Sequence, residues 1–203
     1  MKMLSVKRFQ RGILKANGYV LYYGEGGECY IIDPGYDPNA YVCFVRKNNL
    51  KPLGIIATHM HSDHVGAAPD LAKVLYCPFY MHEDDANSYV GKVDERISEK
   101  NSFKLGGETI KVIHTPGHTK GGICLMAVDS KICFTGDTIF DTDLGRTDLT
   151  GGSEDEMAKT IRDICDKWPD DVFIYPGHED GCTMSYVRRV NKEYIALRDG
   201  RSR

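Results

Sequence analysis

His59-Met60-His61-Ser62-Asp63-His64 puts three imidazoles and a carboxylate into six consecutive residues. Packing explains that poorly. Each ring N–H inside a core needs a partner, and a buried carboxylate without a counter-charge is costly. A metal ion satisfies all four side chains at once, because neutral imidazole and carboxylate are the usual nitrogen and oxygen ligands of zinc and its neighbours. Three shorter motifs carry the same residue types: Thr115-Pro116-Gly117-His118-Thr119, Thr135-Gly136-Asp137-Thr138 and Tyr175-Pro176-Gly177-His178. In each, a ligand-type side chain stands beside a glycine, where the backbone can turn sharply. The candidate metal ligands are therefore His59, His61, Asp63, His64, His118, Asp137 and His178, with Asp63 and His64 also candidate catalytic residues. Seven is too many for one four-coordinate ion and suits two ions sharing a carboxylate. Two divalent ions about 3.5–4 Å apart can hold a bridging water and lower its pKa toward neutrality. The implied chemistry is hydrolysis by metal hydroxide.

Each motif follows an apolar run, so the elements that position it are strands. Leu53-Gly54-Ile55-Ile56-Ala57 precedes the first, Ile110–Ile113 the second, Ile132-Cys133-Phe134 the third and Val172-Phe173-Ile174 the fourth. Strand ends meeting at one edge of a sheet are where open α/β folds place their ligands. The patterning predicts strands over Leu4–Phe9, Tyr19–Tyr23 and Cys29–Ile32, the last closed by the turn Asp33-Pro34-Gly35. A helix over Asp37–Asn49, a strand over Leu53–Ala57 and a helix through Leu71 to Val74 follow. Val74–Cys77 reads as a short strand and Glu83–Val90 as a helix. The second half has strands at Thr109–Ile113, Ile123–Val128, Lys131–Phe134 and Val172–Tyr175, with helices at Glu154–Trp168 and Met184–Leu197. Strands in two groups, each followed by helices, suggest two sheets packed face to face with helices outside, an α/β fold in one domain over residues 1–203.

Composition narrows the field. The 203 residues are 41% hydrophobic and 27% charged, as in an ordinary soluble globular protein. A net charge of −3 makes no electrostatic case for nucleic acid or an anionic membrane. Met1 to Arg8 holds no continuous apolar stretch for a signal peptide, and no run of about 18 apolar residues occurs anywhere. The seven cysteines are odd in number and form no C-x-x-C pair, which reads as reduced, mostly buried thiols in a cytoplasmic protein. The expected partner is a small-molecule substrate.

The remaining polar residues read more plainly. His82, followed by Glu83-Asp84-Asp85, is a helix start with acidic first-turn residues. His114 reads as structural or as a support to a ligand. Arg188-Arg189 with Lys192 is most simply a solvated helix face. Asp33 serves either as a loop cap or as an acceptor that orients a ligand histidine.

Together the four motifs resemble the metallo-β-lactamase-fold hydrolases in kind, order and spacing, from about Tyr30 to His178. Phe134-Thr135-Gly136-Asp137-Thr138-Ile139-Phe140 followed by Gly145-Arg146-Thr147-Asp148 is similar to the glyoxalase II-like branch, especially its short single-domain members. The resemblance implies an αββα sandwich of two mixed sheets flanked by helices. It also implies that His59, His61 and His118 bind a first metal, Asp63, His64 and His178 a second, and that Asp137 bridges. The implied cofactors are two divalent ions, zinc in most relatives, with iron or manganese also found in such sites. The implied reaction is thioester hydrolysis, as of S-lactoylglutathione, by a metal-bridging hydroxide. Two departures bear on the substrate. Only Glu179 to Arg203 follows His178, where glyoxalase II carries a helical domain, and the lysine-x-tyrosine segment that contacts glutathione aligns with Arg146-Thr147-Asp148. Arg146 keeps the charge and is the candidate substrate contact, its other reading being an ion pair with Asp148 or Asp143. Persulfide dioxygenases of the same fold, with one iron at positions matching His59, His118 and Asp137, resemble the chain too. So do lactonases.

Overall fold

Two six-stranded sheets form, one from each half of the chain. The computed structural model describes residues 4–202, so Met1, Lys2 and Met3 of the N-terminal segment read above lie outside the described residues. The first sheet holds β1 (Leu4–Arg11), β2 (Ala16–Tyr23), β3 (Glu28–Ile32), β4 (Lys51–Ile56), β5 (Phe79–His82) and β6 (Glu95–Ile97) in that spatial order. β1 to β3 pair antiparallel, and β3 to β6 parallel. The second sheet runs β7 (Ser102–Leu105), β8 (Glu108–His114), β9 (Ile123–Ala127), β10 (Ile132–Gly136), β11 (Phe173–Pro176) and β12 (Cys182–Thr183). Among these, β10 and β11 pair parallel and the others antiparallel. Helices α1 (Pro38–Lys47), α2 (Ser62–Val65), α3 (Ala68–Leu75) and α4 (Glu83–Ala86) follow strands of the first sheet. Helices α5 (Glu154–Lys159), α6 (Met184–Val190) and α7 (Lys192–Arg198) belong to the second.

The period-two alternation of the strands builds the layers. Tyr19, Leu21, Tyr30, Ile32 and Ile56 pack against Phe103, Leu125 and Phe134 between the sheets. Their neighbours Val20, Cys29, Ile31 and Ile55 point the other way, onto Tyr41, Val45 and Leu71 of α1 and α3. Cys133 and Ile174 on the far face of the second sheet meet Ile161, Val187 and Leu197. Each fully buried Leu, Ile or Phe contributes roughly 1.5–3 kcal/mol of transfer free energy. The result is the expected αββα sandwich of two mixed sheets. Among the described residues, no helix is long and apolar enough to cross a membrane. Five of the seven free cysteines are buried, and Cys43 and Cys182 are the exceptions.

Several boundaries differ from expectation. Val74–Cys77 is no strand: α3 runs to Leu75, Tyr76 caps it in the left-handed conformation at φ 53°, and the strand starts after Pro78. Proline disfavours helix in the residue before it and opens an extended segment instead. The helix expected over Glu83–Val90 stops at Ala86. Glu154–Trp168 begins as α5 and then loosens into a π turn at Thr160–Ile164 and a 3-10 turn at Cys165–Lys167. Met184–Leu197 is two helices, broken where buried Asn191 accepts from the Tyr194 N–H and donates to the Phe140 and Asp143 carbonyls. Arg188 is no solvated residue either. Its guanidinium donates to the Trp168 carbonyl at 2.7 Å and the Asp166 carbonyl at 3.0 Å and pairs with Asp170.

Candidate metal centre

The four motifs end on one rim, where the loops after β4, β8, β10 and β11 meet. There the structure gathers His59, His61 and His118 into one group of potential ligand atoms, all within 4.8 Å of one another, and Asp63, His64 and His178 into a second. Asp137 stands between them. Its Oδ2 is 3.8 Å from His59 Nε2, 3.4 Å from His118 Nε2 and 3.6 Å from His178 Nε2, and its Oδ1 is 3.4 Å from His64 Nε2. All seven expected ligand positions thus converge. Close approach of the loops depends on Gly177, where a Cβ would lie 2.1 Å from Asp137 Oδ1.

The outer ring nitrogens fix how the inner ones point. His118 Nδ1 donates to the Arg146 carbonyl at 2.7 Å and His178 Nδ1 to the Leu14 carbonyl at 3.1 Å, which leaves each Nε2 lone pair facing inward. Thr58 Oγ1 donates to Asp33 Oδ2 at 2.6 Å and so accepts from His59 Nδ1 at 3.1 Å. His59 Nε2 and Asp137 Oδ1, both buried, have no hydrogen-bond partner. Inward lone pairs and orphaned buried ligand atoms fit divalent cations, and an apolar or purely hydrogen-bonded filling would leave them unsatisfied.

Asp33 fills the first of its expected roles and lies close to the ring the second would need. It accepts from the Thr58 N–H at 2.7 Å, which caps the loop, and its Oδ2 lies 3.5 Å from His64 Nδ1. Thr58 and the backbone of Leu14 and Arg146 were not visible as contributors from sequence; a small hydroxyl residue next to a ligand histidine was the one available signal. Arg146 itself lines the cavity, but its side chain forms a two-pronged bond to Asp148 at 2.7 Å. The pairing with Asp148 is therefore present, and the side chain stays largely exposed.

Electrostatics separate the two groups. Burial, reinforced by the charges of the neighbouring imidazoles, holds His59 well below the usual histidine pKa and lowers His61 as well. Burial acts the same way on His64, but the carboxylates of Asp137, Asp33 and Asp63 outweigh it and push the pKa up to about 9. His178 is raised by Asp63 and Asp137 against its own burial. Burial opposes ionisation of Asp63, yet the His178 hydrogen bond and the His64 charge bring it down to about 2.

Above the cluster opens a cavity of about 580 Å³, within the range of small-molecule sites. Leu14, Phe140, Leu144 and Leu149 give it apolar walls, and Arg146 stands at its side. His82 and His114 lie elsewhere. His82 caps α4 by accepting from the Asp84 N–H, and its ring stacks on His114 at 4.3 Å and 12°. Glu99 completes a separate grouping there. Ring lone pairs lie in the ring plane, so two nearly parallel rings do not aim at one ion, and the structural reading of His82 and His114 stands.

The chain belongs to the metallo-beta-lactamase superfamily, which it matches over residues 11–178. That places it among metal-dependent hydrolases with a His/Asp metal-binding cluster. An uncharacterized protein of Aquifex aeolicus is 34% identical over 202 residues, 92% of this chain and 95% of that one. A hydroxyacylglutathione hydrolase of Rhodopseudomonas palustris is 31% identical over 182 residues, 89% of this chain and 69% of that enzyme. Among solved structures, BLEG-1 B3 metallo-beta-lactamase superposes with a TM-score of 0.86 at 27% identity, covering 94% of this chain and 99% of that one. TTHA1623 in a di-iron-bound form gives 0.80 at 28% identity, covering 92% and 98%.

Proposed function

We propose that the chain is a thioester hydrolase of hydroxyacylglutathione hydrolase type that works with two divalent ions, zinc in the first instance. The observation that carries the reading is Asp137, whose two oxygens face both ligand groups at 3.4 Å. A single-ion site has no use for six further ligand atoms arranged as two trios around one carboxylate. In this reading His59, His61 and His118 hold one ion, Asp63, His64 and His178 the other, and Asp137 is shared. So held, the ions supply carbonyl polarisation and a water acidified toward neutral pH. The catalytic roles expected of Asp63 and His64 are exercised through the ion they hold. Asp33 keeps Thr58 and His64 in place, and Arg146 fixes the His118 ring through its carbonyl.

The relative from Rhodopseudomonas palustris supports the thioester, and the di-iron form of TTHA1623 supports a pair of ions. The cavity supports a substrate with an apolar acyl portion against Leu14, Phe140, Leu144 and Leu149. A glutathione carboxylate reaching Arg146 would have to compete with Asp148 for the guanidinium. The test is metal analysis of purified protein together with a panel of S-lactoylglutathione, simpler acyl thioesters, a lactone, a β-lactam and glutathione persulfide. Two ions per chain and fastest turnover of a thioester are expected. One iron per chain with O₂ consumed alongside the persulfide overturns the reading, and a faster lactone or β-lactam replaces the substrate.

A further inference from the structure

Behind the first trio lies a carboxylate that the metal-ligand reading leaves unused. Asp85, in α4, is 1% exposed. Its Oδ2 accepts from the Met60 N–H at 2.9 Å and from Thr119 Oγ1 at 2.8 Å, and its Oδ1 accepts from the Gly121 N–H at 2.6 Å. Met60 sits in the chain between His59 and His61, and Thr119 follows His118. One side chain therefore joins the two loops that carry the first trio, one from each sheet. The approach is built for it, since a Cβ at position 121 would lie 2.4 Å from the Asp85 nitrogen and 2.7 Å from its Oδ1.

We infer that Asp85 is a positioning residue for the His59–His61–His118 trio: it sets the distance between the two ligand loops and thereby the affinity for the ion they hold. The inference rests on the metal reading above. All three donors belong to those two loops, and hydrogen bonds to an ionised carboxylate are about twice as strong as neutral ones. The partners are two backbone amides and a hydroxyl, so the contact fixes loop geometry rather than the tautomer of a ring. Asp33 differs in this respect, because it lies beside the His64 imidazole itself. Groups that support metal ligands typically alter affinity by about 10–100-fold when removed.

The test isolates the trio. In full-length protein carrying His178→Ala, the first trio is intact and the second is broken; His118→Ala gives the converse. Stripped samples of each are titrated with Co²⁺ against a competing chelator, and the visible absorption of the bound ion is recorded. Asp85→Asn keeps the size but turns an amide NH₂ toward one of three donors. It should weaken Co²⁺ binding about 10–100-fold in the His178→Ala protein and shift the absorption bands. In the His118→Ala protein the change should stay within about threefold, the scatter expected of distant sites. An unchanged affinity and spectrum in the first background, or equal losses in both, overturns the inference. Should Asp85→Asn not fold, Thr119→Val removes one donor while keeping the carboxylate, and it should show a smaller loss confined to the same background; no loss overturns the inference equally. Parent protein that takes up no divalent ion defeats the metal reading and this inference with it. Parent that binds normally beside an unaltered variant defeats this inference alone.

Discussion

The first trio is three imidazoles and the second is two imidazoles and a carboxylate, and their surroundings shift them in different directions. In the first, burial and the neighbouring imidazoles hold the pKa values of His59 and His61 down, and the loops that carry the trio are joined from behind by Asp85. Asp63, His64 and His178 are charge-compensated: the imidazoles are raised by surrounding carboxylates, and Asp63 is lowered by the imidazoles. Both trios reach the cavity wall, the first through His61 and His118 and the second through Asp63 and His178. The difference teaches that a cation entering the second trio competes with more firmly held protons than His59 and His61 carry, so its binding there should depend more steeply on pH.

The sharpest way to break the comparison is to remove one ligand from each side. His118→Ala and Asp63→Ala should each lower metal content and reduce thioester turnover by roughly a thousandfold or more, about 4 kcal/mol of lost transition-state stabilisation. Metal analysis and initial rates check this, and retained turnover in either variant removes the shared-ion account.

A smaller but more discriminating effect comes from pH. Lowering pH protonates free imidazole, and protons compete with the cation, so affinity falls as pH falls. With His64 at about 9, the second trio in the His118→Ala protein should lose about tenfold in affinity for each pH unit below that value. The first trio in the His178→Ala protein, with His59 and His61 already lowered, should hold its affinity through neutral pH and weaken only in acid. Chelator competition across that range measures both slopes. Parallel slopes would erase the electrical distinction.

Asp33→Asn should come next. Asparagine tolerates the left-handed backbone at position 33, where φ is 49°, so the effect comes from the lost charge and the altered hydrogen bonds to Thr58 rather than from backbone strain. Affinity of the second trio should fall about tenfold, and more than that of the first, because the carboxylate lies beside His64. Arg146→Ala should have the smallest effect, a change in KM for a glutathione thioester of about threefold with kcat kept. An exposed guanidinium already paired with Asp148 has little energy left to offer a substrate.

What the sequence showed and what it hid follow from range. Every ligand candidate sits at the end of an apolar run beside a turn, a pattern confined to a few residues. Its convergence on one rim follows from parallel or paired strands ending together. The sandwich was legible for the same reason in strands such as Tyr19–Tyr23, whose alternate residues face different layers. Short strands with weak apolar content were not, as with Glu95–Ile97 and Ser102–Leu105. Asp85 read only as an acid in a first turn, because its role depends on Met60, Thr119 and Gly121, which lie 25 to 36 residues away and meet it only after both sheets pack. Arg188 misled for a similar reason, its carbonyl partners lying around 20 residues back.

The central claim is that two ions, joined by Asp137, act as one hydrolytic centre. Stripped protein reconstituted with zinc in measured increments, with S-lactoylglutathione turnover followed at each step, tests it most directly. The account predicts that the rate climbs with the second equivalent and levels at two ions per chain. Full activity at one equivalent, or no thioester turnover at any loading, would contradict it.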